Sequence, residues 1–365
     1  MTIHHHGNSA ACEKLETSEA LLTLAPFWQA LEQATPASPM QHFIWNSACS
    51  AVLPNVSGIA VHVIRTGPKS GAIAPLVNSE RYVGSLETLG LRSLYEPSDV
   101  LSSDRAALQA LVSALAATGT PLFLGRVPAG SPTVEAVREA YQGRGPVIVR
   151  NSEPYPRILL DETWRDPLSH FNAGRCSDFR RSLRRAEKLG EVSLDILSPT
   201  PNELEPLLEE AFAVEAANWK GRNGSALAVD EVRGRFFRDY AARASEAGIL
   251  RLCFLRIGGR AAAMQLAVEC NGSFWLFKIG YRDEFAKCSP GMLLIAETIR
   301  YSAEKGLSSY EFLGTAEEWT RLWTSDEHPC VSIRAYPLRM PGIKALAADA
   351  VQFAGRRLHR AMAVR

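Results

Sequence analysis

The stretch FWLFKIGYRDEFAKCSPGMLLIAETIR, residues Phe274 to Arg300, decides how this chain is read. Its opening run is rich in aromatic and branched apolar residues, the composition of a buried strand. Eight polar or small residues follow, and Ser289-Pro290-Gly291 then opens an apolar-periodic helix. Pro290 suits the first helical turn, where its missing N–H costs little, and Gly291 permits close approach of a ligand. A strand that hands over to such a helix start is a place where backbone N–H groups can hold an anion. The GxxxxGK[ST] pattern of a P-loop does not occur.

Outward from this junction, the alternation of Glu191 to Leu197 predicts a strand, followed by helices over 202–217 and 229–247. Strands are expected at 249–257, 260–270 and 273–280, with Gly258-Gly259 turning between the first two. After the helix opened by Pro290 come a strand at 308–313, a short helix near 316–323 and a strand at 330–336. The order is β-α-α-β-β-β-α-β-α-β. Earlier in the chain, a short helix at 21–31 ends before two prolines, and apolar pieces lie at 59–64, 72–77 and 86–90. Leu108, Leu111, Val112 and Leu115 mark a helix at 104–117; 121–125 and 146–150 read as strands around a helix at 133–142. This alternation implies a small α/β domain. The first half shows no concentrated set of polar groups to support a catalytic site.

The chain has 365 residues, enough for two domains. Forty basic and 39 acidic side chains leave a formal charge of +1, so the basic excess of a nucleic-acid-binding protein is missing. Seven scattered cysteines form no CxxC pair, which suits reduced thiols in a cytoplasmic protein. Cys288, beside the helix start, is a generic nucleophile candidate with His328 as a distant base. No metal site is expected, and His4-His5-His6 reads as a tail. No stretch reaches the length of a membrane-spanning helix.

Two segments carry local charge. Residues 175–190 hold Arg175, Arg180, Arg181, Arg184, Arg185 and Lys188 against Asp178 and Glu187. Ser177 or Asp178 is the expected cap of this connecting helix, which is either a solvated connector or a wall facing phosphates. Beyond Pro341-Gly342, Ile343, Leu346, Ala347, Ala350, Val351, Ala354 and Leu358 recur at helical spacing, with Arg356, Arg357 and Arg360 toward the end. That helix either packs by its apolar stripe or lies on an anionic leaflet at the inner face of the membrane.

The element order resembles the GCN5-related N-acyltransferase (GNAT) fold, and the residues are similar to its CelD/BcsL-like subgroup, a relative of the FemAB double-domain arrangement. The matching landmarks are Glu215 with Trp219-Lys220-Gly221-Arg222, Gly224-Ser225-Ala226-Leu227, Lys278-Ile279-Gly280-Tyr281-Arg282-Asp283, Ser289-Pro290-Gly291, Phe312-Leu313-Gly314 and Arg321-Leu322-Trp323-Thr324. The resemblance implies an α/β (α+β) fold of tandem domains with central mixed sheets: a degenerate first copy over 1–170, a basic connecting helix at 171–190, an acyl-coenzyme A-binding domain at 191–336 and a basic amphipathic terminal helix at 337–365.

By the same resemblance, an acyl-coenzyme A cosubstrate lies between the fourth and fifth strands. Its pyrophosphate rests on the amides near Ser289, Gly291, Met292 and Leu293, and no cofactor is bound permanently. The implied reaction transfers the acyl group to a primary amine, such as an amino-lipid or amino sugar. Such transfer needs a base for the amine, alignment and a donor for the carbonyl oxygen. Glu215 is the expected base, with Asp283 and Glu311 as competitors. Tyr281 is expected to place the amine or protonate the thiolate, and Trp219, Lys220, Lys278 and Trp323 to contact substrate. The alternatives are a FemAB-like transfer from aminoacyl-tRNA and a binding protein with decayed domains. An open cleft with free N–H groups at 289–293 would favour catalysis.

Overall fold

The computed structural model describes residues 11–53, 58–79, 84–217 and 230–363, with side chains as far as residue 351. The chain forms two compact units, one of Met1–Glu153 with Pro329–Arg365 and one of Pro154–His328. Both are α+β with mixed strand pairing.

The first unit begins with β1 (Glu13–Leu15), α1 (Ser18–Thr23), α2 (Ala25–Ala34) and α3 (Phe43–Val52). Strands β2 (Val61–Gly67), β3 (Ser70–Ala74), β4 (Leu76–Asn78) and β5 (Leu86–Thr88) follow, then α4 (Leu91–Leu94) and β6 (Leu101–Ser102). Helix α5 (Arg105–Thr118) starts at Asp104, whose carboxylate accepts the Ala107 N–H, and stops at left-handed Gly119. Its four periodic apolar residues are all buried. β7 (Leu122–Pro128), α6 (Pro132–Tyr141) and β8 (Val147–Leu159) complete this run. The sheet neighbours are β1-β2-β3-β6 and β4-β5-β7, with β5 and β7 parallel.

The second unit continues from the last part of β8 through α7 (Ala173–Glu187), β9 (Val192–Leu197) and α8 (Pro201–Ala216). Next come α9 (Glu231–Glu246), β10 (Leu250–Ile257), β11 (Arg260–Cys270), β12 (Ser273–Tyr281), α10 (Pro290–Glu304), β13 (Ser309–Glu311) and α11 (Glu318–Arg321). The expected order of elements is present, and the sheet runs β13-β12-β11-β10-β9 with only β12 and β13 parallel. Helix α7 starts earlier than the charge pattern suggested: its cap is Asn172, whose side chain accepts the Arg175 N–H. Neither Ser177 nor Asp178 caps it, because both lie inside the helix. Gly190 is needed for close approach, since a Cβ there would fall 2.6 Å from Gly258 Cα.

Alternate residues of β12 separate the two faces of this sheet. Phe274 and Leu276 join the core that contains Leu294, Ile295 and Ile299 of α10, and Ile279 and Tyr281 pack against it. Gly280 points the other way, toward α8, where a Cβ would stand 2.5 Å from Glu215 Cα. Helix α8 therefore rests on bare backbone. This close approach is the physical reason for Gly280.

The chain returns to the first unit within β14 (Glu327–Ala335), which pairs antiparallel with β7. It ends in α12 (Met340–Ala363). Over residues 340–351 this helix does not pack by the apolar stripe read from the sequence; Ala354 and Leu358 of that stripe lie outside the described side chains. Gly342, Ala345 and Asp349 are its buried positions, and the Asp349 carboxylate accepts from Arg334 and from the Tyr336 hydroxyl. Ile343 and Val351 are exposed, the latter by 73%. One buried carboxylate decided which side turned inward.

Gly280→Ala must push α8 off β12, and overpacking of this kind costs about 1–3 kcal/mol, measurable by urea unfolding as a lower midpoint. In the first unit, burial raises Glu32 to about 7, while its carboxylate accepts the Phe43 N–H. The folded state then holds a proton that the unfolded chain releases near 4.5, so this group lowers stability as pH rises from about 4.5 to 7. Neighbouring His42, lowered to about 4 by burial, acts in the opposite sense. The difference between Glu32→Gln and wild type isolates the carboxylate: the melting-temperature advantage of the variant should grow with pH across that window.

Candidate active site

The site starts from how β12 is held. Left-handed Asn271 and Gly272 turn β11 into β12. Along the hairpin Leu266 pairs with Lys278 and Ala267 with Leu276, so Phe277 is an extra residue and β12 bulges there. On its other side β12 meets β13 only through Ser273↔Ser309, Phe274↔Tyr310 and Trp275↔Glu311. β12 then continues six residues to Tyr281, whereas the chain beyond Glu311 turns at left-handed Leu313 and Gly314. Two parallel strands that part after one short ladder leave a wedge.

A cavity of about 430 Å3 opens at the mouth of that wedge. One wall is Ile279, Gly280 and Tyr281; the floor is Ser289, Pro290, Gly291, Met292 and Ile295 of the α10 start; Glu317 and Trp319 close the far side. The Trp319 indole donates to Glu317 at 2.7 Å, which fixes this wall. A shallow basin lined by Arg175, Met292, Trp319 and Arg321 adjoins it.

The α10 start has an unusual cap. Ser289 is left-handed (φ 47°), and its carbonyl accepts both the Met292 N–H (3.0 Å) and the Leu293 N–H (3.2 Å). The Ser289 N–H itself donates to Ala286 O. Among the four positions expected to meet a pyrophosphate, Gly291 therefore supplies the N–H with no acceptor in the described protein. A Cβ at Gly291 would stand 3.8 Å from Tyr281, ordinary contact, so packing does not require glycine there.

The other sequence-predicted residues divide by position. Glu215, near the end of α8, is 2% exposed and sits against Gly280 on the sheet face opposite α10. Lys278 places its ammonium 4.6 Å from the Phe237 ring centroid. Asp283 is exposed at the start of a 3-10 turn, Asp283–Cys288. Trp323 is 5% exposed, edge-on to Phe171 and Phe179, so it belongs to the core rather than to a cavity wall. Trp219 and Lys220 lie outside the described residues. Cys288 is buried, and that burial raises its thiol, opposite to the shift a nucleophile needs. Trp319, Glu317 and Ile295 were not expected in the cavity; nothing in their spacing distinguished them from core or surface residues.

Glu311 is 5% exposed. Its Oε1 accepts from the Ser309 hydroxyl at 2.6 Å, while Oε2 has no partner among the described residues. Burial raises this carboxyl above the ordinary range; Arg157 opposes the shift and Asp326 adds to it. No group of three or more His, Cys, Asp or Glu able to hold a metal occurs among the described residues.

Comparison with known proteins agrees with this geometry. Residues 173–321 match the family model described as an acetyltransferase (GNAT) domain. Among solved structures, FemX is similar with a TM-score of 0.58 at 11% identity, covering 90% of this chain and 98% of that one. The C-terminal domain of a candidate lysylphosphatidylglycerol synthetase from Agrobacterium fabrum gives 0.55 at 12%, covering 92% and 98%. A conserved protein of unknown function from Bacteroides thetaiotaomicron gives 0.51 at 11%, covering 89% and 99%. Identities this low speak to fold alone. No curated protein matches the chain in sequence. The parted parallel strands and the helix start at their mouth agree with a GNAT-type fold over residues 173–321, the span that this family model matches.

Proposed function

We propose that the protein is an acyl-coenzyme A-dependent N-acyltransferase of the CelD/BcsL-like kind, transferring an acyl group from a thioester to a primary amine. The observation that carries this reading is the open wedge between β12 and β13 with the α10 start at its mouth. A diphosphate at Gly291 would take the uncommitted N–H and the positive end of a fifteen-residue helix, a charge interaction of roughly 0.3–1 kcal/mol before direct hydrogen bonds. From Gly280 back to Trp275 the strand rises about 16 Å, a length that an extended pantetheine arm covers. Its thioester would then lie near the last rung of the β12–β13 ladder.

The chemistry needs a proton acceptor for the amine, and two buried carboxylates, Glu215 and Glu311, stand on the sheet face opposite α10. The mechanism is direct. The amine nitrogen bonds to the thioester carbon and loses a proton, the carbon–sulfur bond breaks, and the thiolate leaves and is reprotonated. No covalent enzyme intermediate is required.

The first unit is proposed as a degenerate copy of the same fold. Its parallel pair β5 and β7 is likewise joined through a helix, α5, and flanked by antiparallel neighbours β4 and β14. There the cleft beside Ser85, Leu122 and Phe123 is only about 20 Å3.

An amino-lipid acceptor at the inner face of the membrane is the finer proposal, supported by α12. Its exposed Ile343, Ala347, Ala350 and Val351 form an apolar strip on a helix whose later turns hold Arg356, Arg357 and Arg360. Apolar burial and attraction to anionic headgroups act together on such a helix. No helix among the described residues is long and apolar enough to cross a membrane.

Acetyl-coenzyme A should bind, and Gly291→Trp should weaken binding by at least about tenfold with an unchanged melting temperature. Equal affinities in calorimetry would remove the site. The protein should also cosediment with phosphatidylglycerol vesicles but not with phosphatidylcholine alone. Ile343→Glu with Val351→Glu should abolish that cosedimentation.

A further inference from the structure

Where the wedge closes, one polar atom on each of two neighbouring strands is buried with no hydrogen-bond partner among the described residues. Trp275 and Glu311 form the last rung of the β12–β13 ladder. Their flanking residues Phe274, Leu276, Tyr310 and Phe312 all enter the α10-side core. Both side chains therefore leave the opposite face, the one on which α8 rests. Trp275 is 8% exposed and Glu311 5%; among the described residues the indole Nε1 and the carboxylate Oε2 both lack a hydrogen-bond partner. An unmade hydrogen bond on a buried group costs about 1–3 kcal/mol, so two side by side need a reason.

The neighbours hold the carboxylate in place without satisfying it. The Ser309 hydroxyl lies 2.6 Å from Glu311 Oε1 and 2.8 Å from the Ser273 hydroxyl. Having one proton, it gives that to Glu311 and accepts from Ser273. On the other side Arg157, the β8 partner of Glu311, spends its Nε on Asp326 and an Nη on His328. These fix one oxygen and leave Oε2 buried with no partner among the described residues.

Resting on the proposed acyl transfer, we propose that Glu311 and Trp275 form the reaction seat. Glu311 Oε2 receives the proton of the attacking amine, and the Trp275 indole N–H donates to the thioester carbonyl oxygen. One acceptor and one donor match the two demands of the tetrahedral intermediate. As the carbon–nitrogen bond forms, the amine proton passes to Oε2 and the carbonyl electrons move onto oxygen beside the indole. Collapse restores the carbonyl, breaks the carbon–sulfur bond and releases the thiolate, which takes up the proton Glu311 then gives back. Glu215 becomes a positioning residue for α8.

The charged groups that couple to Glu311 are Arg157 and Asp326; Lys278 and Glu215 lie farther along the same face. Burial keeps the Glu311 carboxyl above its ordinary value, which brings it toward the range a general base needs.

The test is single-turnover amine acylation with saturating acetyl-coenzyme A across pH. Glu311→Gln, which keeps the Ser309 bond, should lower the rate about a hundredfold or more, flatten the acid limb and leave coenzyme A affinity unchanged. Trp275→Phe should lower the rate about a hundredfold while keeping that limb. An active wild type with Glu311→Gln within twofold, or with the limb lost only in Glu215→Gln, overturns this assignment alone. A wild type that binds acetyl-coenzyme A yet acylates no amine overturns it together with the acyltransferase reading.

Discussion

Two parallel strands joined at three residues and then forced apart are the constraint on which the second unit depends. A continuous β12–β13 ladder would satisfy every backbone group between them and leave no room for a ligand. The ladder stops at Trp275 and Glu311 because the bulge at Phe277 bends one strand while the left-handed pair Leu313-Gly314 carries the other chain away. Leu313 is buried in a conformation that a side chain disfavours. The surrounding core holds it there.

The two faces of the sheet divide the work. On the α10 side, the stacked Phe274 and Tyr310 rings and the Tyr310–Thr298 hydroxyl pair fasten the closed end of the wedge. On the α8 side, Gly280 lets a helix lie directly on the strand and puts Glu215 close to it. A ligand entering from the α10 start could thus reach groups on both faces at the point where the strands part. The left-handed Ser289 cap has a related effect. By drawing the Met292 N–H back onto its own carbonyl, it leaves Gly291 as the N–H turned outward from that end of the helix.

Much of the architecture was legible because short-range patterns fixed it. Strands around 250–281 show continuous apolar runs, α5 and α10 show the 3.6-residue period, and Ser289-Pro290-Gly291 marks a start whatever surrounds it. Candidate residues were legible only in part. Glu215, Tyr281 and Gly291 gather near the junction. Trp323, an aromatic in a polar stretch, proved to be filling between Phe171 and Phe179.

What the sequence determined by itself was the set of elements, their order and the likeness to one acyltransferase fold, because periodicity, caps and turns act over a few residues. Tertiary structure alone decided which side of α12 faced inward, which amide of the α10 start kept its proton donor uncommitted, and which carboxylate was buried with one oxygen unmet. The first and last of these depend on partners distant in the chain, Asp349 on Arg334 and Tyr336 and Glu311 on the strand that begins at Ser273, whereas the second follows from the left-handed Ser289 beside it. Hydrogen bonds and close contacts between distant segments leave no periodic trace in the letters, and here they set the chemistry of the site.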